Sequence, residues 1–189
     1  MLLKNRDSIK TLIDRMSSDD FSTSFTNAEF CLAFYGLSVI TNYKEDYYAN
    51  KSGELYCKGD YEEAFDFAQK ALNINPLNLE AIIWAERCIL KLPKKYGDNR
   101  KKNADYYRYR AIQIYNVIAT SGDGSPNRPF YVTRESDEYN FMKYFLKFDE
   151  FGVATSIEPS MSLRQYGAYE LISENALCKE RYILQSSQL

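Results

Sequence analysis

The side chains with the best claim to chemistry lie in the last third of the chain: Ser121, Asp123, Asp137, Glu138 and Tyr139. Ser121 and Asp123 belong to Ser121-Gly122-Asp123-Gly124, where the two glycines permit positive φ and let the backbone fold sharply enough to aim the Asp123 carboxylate. Asp137 and Glu138 fall in the first turn of a predicted helix, whose exposed N–H groups favour acidic side chains. Where the loop meets that helix end, three carboxylates and a phenol converge, an arrangement able to hold a cation or a basic peptide. Each part also has a local structural role: Gly122 as a helix C-cap, Asp123-Gly124 as a turn, and Asp137-Glu138 as a dipole-matched first turn. The spacing is not that of an EF-hand, because it has neither the Asp-x-Asp ladder nor the closing Glu.

Other chemistry is narrowed by what the chain lacks. It has no histidine, which removes His general bases, Ser-His and Cys-His nucleophile pairs and His-containing zinc sites. Cys31, Cys57, Cys88 and Cys178 form no Cys-x-x-Cys pair and read as buried free thiols, with two disulfides open to an oxidising compartment. Gly-x-Ser-x-Gly, Ser-x-x-Lys, Walker and dinucleotide motifs are missing. No cofactor, no metal and no catalytic residue is therefore expected. The net charge of −2 argues against general binding to nucleic acid or anionic lipid. The basic stretch Lys94, Lys95, Arg100, Lys101 and Lys102 reads as a solvated loop, with contact to phosphate or an acidic partner as its functional alternative. No signal peptide and no membrane span is visible, so the chain as it stands reads as soluble and cytoplasmic, or as periplasmic or envelope-associated if a leader was removed.

The elements that must position these residues follow from periodicity. With 45% hydrophobic residues the chain has enough apolar surface for a core. Ile9, Leu12, Ile13 and Met16 have helical spacing, and Thr26 followed by Glu29 reads as the capping box of a second helix ending near Ile40. Asn42–Asn50 reads as irregular and tyrosine-rich, and Lys51–Lys58 as a short helix. Gly59-Asp60 is a turn, Tyr61–Asn75 a helix stopped by Pro76, and Leu77–Leu92 and Asn103–Ala119 further helices. Ala64, Ala68 and Ala71 leave room for close helix packing. The stretch from Gly59 to Pro76 is the second half of a tetratricopeptide-like hairpin, and about one and a half such repeats fit. Beyond Thr120 a helix from Ser136, as N-cap, to Phe145 is flanked by strand candidates at Pro129–Thr133, Phe151–Ile157, Tyr166–Ile172 and Arg181–Gln185.

The expected fold class is therefore α+β, with tetratricopeptide-like α-helical hairpins over residues 1–119 and a small antiparallel sheet with one helix over 120–189. Inner helix faces near Tyr48, Tyr56, Trp84 and Tyr107 would wall a peptide groove. This makes a non-catalytic interaction or scaffold module, partnered by another protein or peptide, the leading reading. The alternative is a small enzyme or a ligand- or cation-binding protein using Asp123, Glu138 and Tyr139 in a pocket.

Phe34-Tyr35-Gly36, the tyrosine-rich linker, the Gly59–Pro76 repeat half, Ile118-Ala119-Thr120-Ser121-Gly122-Asp123-Gly124, Pro129-Phe130 and Asp137-Glu138-Tyr139 occur in this order. Together they resemble an uncharacterised domain-of-unknown-function family from Gram-negative gut anaerobes, over about Asp19 to Gln185. The Ser-Gly-Asp-Gly and Asp-Glu-Tyr elements are the specific parts of the match. The resemblance implies an α-helical region with an α+β tail and no established activity, among relatives that often carry secretion signals.

Overall fold

In a computed structural model of the chain the described residues are 6–17, 25–40, 43–93, 100–125 and 127–145, with three short strand segments after them. They divide into two compact units, Met1–Ile114 and Tyr115–Leu189. Lys94, Lys95 and Cys178 lie outside the described residues.

In the first unit, α1 (Arg6–Ser17) buries Ile9, Leu12, Ile13 and Met16, the four positions that share one helical face. Helix α2 (Asn27–Ile40) opens with the predicted capping box. The Glu29 N–H donates to Thr26 Oγ1 at 3.2 Å, and the Thr26 N–H donates to Glu29 Oε2 at 2.8 Å. Arg110, on α6 (Arg100–Ser121), is buried among Phe25, Phe30 and Tyr106, with its guanidinium carbon 5.2 to 5.6 Å from the three ring centres. Its Nη2 donates to the Met16 carbonyl at 3.1 Å and so satisfies an oxygen in the last turn of α1.

Helices α3 (Lys44–Lys58), α4 (Tyr61–Ile74) and α5 (Leu79–Lys91) pack on one another. Asn42–Asn50 is thus not an irregular segment: from Lys44 on it is the first half of a 15-residue helix. The inward positions of α3 are Glu45, Ala49, Ser52, Gly53 and Leu55, a helical spacing filled by mostly non-apolar residues. Buried hydrogen bonds replace apolar contact there. Asn75 Nδ2 donates to Glu45 Oε1 at 3.1 Å, and Ser52 Oγ donates to the Ala64 carbonyl at 2.7 Å.

At the end of α3, Gly59 adopts φ 90°, its N–H bonding Tyr56 O while the Asp60 N–H bonds Leu55 O. These two bonds form a Schellman stop, which needs a left-handed residue. Ala64, Ala68 and Ala71 are fully buried on α4. Asn78 caps α5 by accepting from the Ala81 N–H at 2.9 Å, and its amide donates to Asp46 at 3.0 Å.

In the second unit the end of α6 leads to β1 (Phe130–Val132), α7 (Glu135–Asn140) and a π-helical turn, Phe141–Phe145. Its core is aromatic. Phe141 stacks on Phe145 with ring centres 5.0 Å apart, meets Phe130 edge-on at 5.1 Å and packs near Tyr115 at 6.3 Å. Two features differ from expectation. The helix begins after Arg134, which is extended and makes no side-chain cap bond, so Ser136 lies within the first turn instead of capping it. The α+β class with a small antiparallel sheet is also overturned, since the described residues are mostly helical. β1 has its partner in parallel, Leu184–Ser186 (β4), and antiparallel pairing is confined to the two-residue segments Thr155–Ser156 (β2) and Tyr169–Glu170 (β3). Strands of two or three residues are about half the usual length and do not amount to a sheet with a face to bury.

Candidate functional site

Ser121 and Asp123 sit in a tight turn between α6 and β1. Ser121 Oγ donates to the Ile118 carbonyl at 2.6 Å and accepts from the Tyr131 N–H at 2.8 Å, tying the helix end to the strand. Gly124 takes the positive φ expected, 79°. Gly122 does not: it is needed because a Cβ there would run into the Arg128 and Pro129 carbonyl oxygens.

The Asp123 carboxylate accepts from the Ser125 N–H at 3.0 Å, an Asx turn, and lies 3.4 Å from Arg128 Nη1. Its N–H donates to Arg128 O at 2.8 Å. The hydrogen bonds from Ser125, aided by the Arg128 charge, hold the carboxyl below its ordinary range. The polar groups of Ser121 and Asp123 thus hold the turn itself.

On α7 the predicted trio splits. Asp137 is fully buried and accepts from Thr133 Oγ1 at 2.6 Å, while Arg134 Nη1 donates to the same hydroxyl at 3.2 Å. Glu138 is 8% exposed, and burial, with Glu135 as a lesser like-charge neighbour, pushes its carboxyl up to about 8. Tyr139 faces outward at 46% exposure, and its hydroxyl accepts from Lys143 Nζ at 2.9 Å. Asp123 is exposed whereas Asp137 and Glu138 are buried, so the three carboxylates do not gather. Among the described residues no group of three or more acidic or thiol side chains is placed to hold a metal ion.

A first-turn reading explains acidic residues on a surface and misses this burial. The missed feature is a run of buried polar residues: Thr133, Arg134, Asp137, Glu138 and Asn140. The sequence signal available for it was the bracketing of this polar stretch by Val132 on one side and Phe141 and Met142 on the other.

The four aromatic residues predicted to wall a groove are all half-buried and are divided among several contacts. Tyr48 packs near Phe67 at 6.1 Å, and Tyr107 lies 6.5 Å from Phe65 and accepts from Gln69 at 2.8 Å. Tyr56 and Trp84 meet directly at 5.3 Å. Tyr61 continues the row at 5.2 Å on one side, and Arg87 lies 5.1 Å over the indole on the other. The Trp84 ring lies against Gly53, where a Cβ would come within 2.8 Å of the indole.

An open cleft of about 410 Å³ adjoins this row where α4 begins and α5 ends, lined by Asp60, Tyr61, Glu62, Glu63, Lys91 and Pro93 among others. Among the described residues no helix is long and apolar enough to cross a membrane.

No curated protein and no solved structure matches the chain. A family model matches residues 3–162, which take in the α3–α5 helices, the Ser121–Gly124 turn and α7, and which begin earlier and end sooner than the Asp19–Gln185 span read from the residues. The chain belongs to the family described as a domain of unknown function, DUF4919.

Proposed function

We propose that the chain is a non-catalytic protein-interaction or scaffold module whose working part is the α3–α5 array, a tetratricopeptide-like repeat. The observation that carries this reading is the row Tyr61–Tyr56–Trp84–Arg87, which crosses from α4 through α3 to α5 with successive centres 5.1 to 5.3 Å apart. Aromatic side chains locked against one another offer contact area at little further entropy cost. Residues 1–119 and 120–189 are then a helical module and a tail. In this reading the partner is another protein or peptide and not nucleic acid, and the compartment is the cytoplasm, or the periplasm or envelope for a form made with a leader. A source among Gram-negative gut anaerobes, with Ser121–Gly124 and Asp137–Tyr139 as the family's marks, belongs to the same proposal.

The test is capture from an extract of the source cells on immobilised protein, comparing the intact chain with Arg87→Glu, which reverses the outer member of the row without entering the core. A partner held by the intact chain and released by the variant, at equal melting temperature, supports the reading. A partner held equally by both, or none held by either, overturns it.

One observation favours a second reading, a ligand-binding protein or small enzyme centred on Glu138. A buried carboxyl that stays protonated at neutral pH can donate a hydrogen bond or a proton. Asp123 and Tyr139 do not share its environment, so such a site would draw on Thr133, Arg134 and Asp137 in their place.

A further inference from the structure

We infer that Asp123-Gly124 is a site of spontaneous backbone isomerisation that the folded turn keeps closed, so that isoaspartate forms there only when the connection between α6 and β1 opens. The inference goes beyond the interaction reading and does not depend on it. Asp-Gly occurs once in the sequence and Asn-Gly not at all, so any such product reports on this turn. The reaction needs no partner and no cofactor. The Gly124 amide nitrogen attacks Asp123 Cγ, the carboxyl C–O bond breaks, and the amide proton leaves with the carboxyl hydroxyl as water, giving a cyclic succinimide. Water then reopens the ring. Addition at the Cγ carbonyl restores Asp123, and addition at the main-chain carbonyl gives isoaspartate, in which the chain runs through Cγ. Glycine favours the step because it has no Cβ beside the attacking nitrogen.

Three features of the turn oppose the attack. The nitrogen is committed: Gly124 is buried, and its N–H donates to Arg128 O at 3.1 Å, beside the Asp123 N–H at 2.8 Å on the same oxygen. The carboxylate is committed too, accepting from the Ser125 N–H at 3.0 Å and lying 3.4 Å from Arg128 Nη1. Its charge also resists loss of water. The hydrogen bonds from Ser125, aided by Arg128, hold the carboxyl below its ordinary range, so the protonated form that can shed a hydroxyl is scarcer than in an open chain. Cyclisation therefore requires the bonds of Gly124 and of the Asp123 carboxylate to break together, which is a local opening. The product cannot re-enter the turn. In isoaspartate the free carboxylate sits on Cα, so the two-residue spacing that closes the Asx bond to Ser125 is lost. Isoaspartate at this position is a lasting record that the turn has opened.

The test incubates the full chain at neutral pH and body temperature in heavy-oxygen water, which marks each passage through the ring, and reads the marked peptide by proteolytic mapping and mass spectrometry. The chain is compared folded and in guanidinium chloride, with Asp123→Glu as the control, since a glutamyl side chain closes a larger ring far more slowly. Two variants loosen the turn at different bonds. Ser125→Ala removes the hydroxyl that accepts from the Arg128 N–H at 3.2 Å. Arg128→Gln removes the guanidinium beside Asp123, and Arg128 is exposed, so this substitution enters no core. The expected result is marking at least about tenfold faster in guanidinium than in the folded chain. Marking should be roughly two- to threefold faster in each folded variant than in the folded parent, at equal melting temperature, and lost in Asp123→Glu. Equal rates in the folded and unfolded parent, no marking in guanidinium, or an Arg128→Gln rate no faster than the parent overturns the inference.

Discussion

Glu138→Gln is expected to stabilise the protein, and to do so more as the pH rises. Glu138 is a buried carboxyl whose ionisation is pushed from 4.5 to about 8, mainly by desolvation. Below pH 4.5 it is protonated in both folded and unfolded chains and has no linkage effect. Between 4.5 and about 8 the unfolded chain releases the proton while the folded chain keeps it, so stability falls as pH rises. Above about 8 both states are ionised and the folded state carries the whole penalty. At 1.36 kcal/mol per pH unit that penalty is roughly 4–5 kcal/mol as an upper bound.

Glutamine keeps the shape and a hydrogen-bonding amide but cannot ionise. The stability gap between Glu138→Gln and the parent should therefore widen by roughly 2–3 kcal/mol from pH 6 to pH 8. Both ends of that range lie above the isoelectric point of about 5.4, where solubility is best preserved. Urea unfolding followed by far-ultraviolet circular dichroism measures it. Groups common to both proteins, Asp137 and Arg134 among them, cancel in the difference. A gap that stays constant or narrows over that range would refute the reasoning, because burial would then not be acting on the charged form of Glu138.

Two further expectations concern the helical hairpins. Gly53→Ala places a methyl group 2.8 Å from the Trp84 ring, and should lower stability by about 1–2 kcal/mol after the gain in helix propensity, with a shift in the emission of the protein's one tryptophan; an unchanged urea midpoint with unchanged emission would count against the close packing of α3 on α5. Burial pushes the Cys88 thiol up to about 12, whereas Cys57 is exposed. Alkylation read by mass spectrometry should modify Cys57 in the folded protein and Cys88 only on unfolding, and equal rates would contradict the placement of α5.

The helices that apolar periodicity could find were found for a physical reason. In α1 every inward position is an aliphatic or Met side chain, and in α4 the inward positions are alanines. The Thr26–Glu29 box and the Gly59 stop are local devices, made from residues a few positions apart, so their bonds follow from spacing alone. The first half of α3 hid itself because its inner face offers only Glu45 and Ala49 and continues with Ser52 and Gly53, a face that a search for apolar spacing reads as solvent-facing. Their burial depends on Asn75, Ala64 and Trp84, which are 12 to 31 residues away in the chain.

The candidate site divides along the same line. That Ser121–Gly124 would turn, and that Gly124 would take a positive φ, lay in the residue types themselves, since an Asx bond spans two residues. Which carboxylates would share an environment did not. Asp123 stays on the surface beside Arg128, while Asp137 and Glu138 enter the interior with Thr133 and Arg134, and the outward turn of Tyr139 follows from its place on the other side of α7. The sequence by itself determined α1, α4, the Thr26–Glu29 box and the Gly59 stop, because those are settled by apolar spacing or by neighbours within about one turn. Only the tertiary structure decided that Glu138 loses water, that Tyr61, Tyr56 and Trp84 align, and that Asp60 and Glu63 face one cleft, because desolvation and close contact are set by groups that the fold brings together from distant parts of the chain.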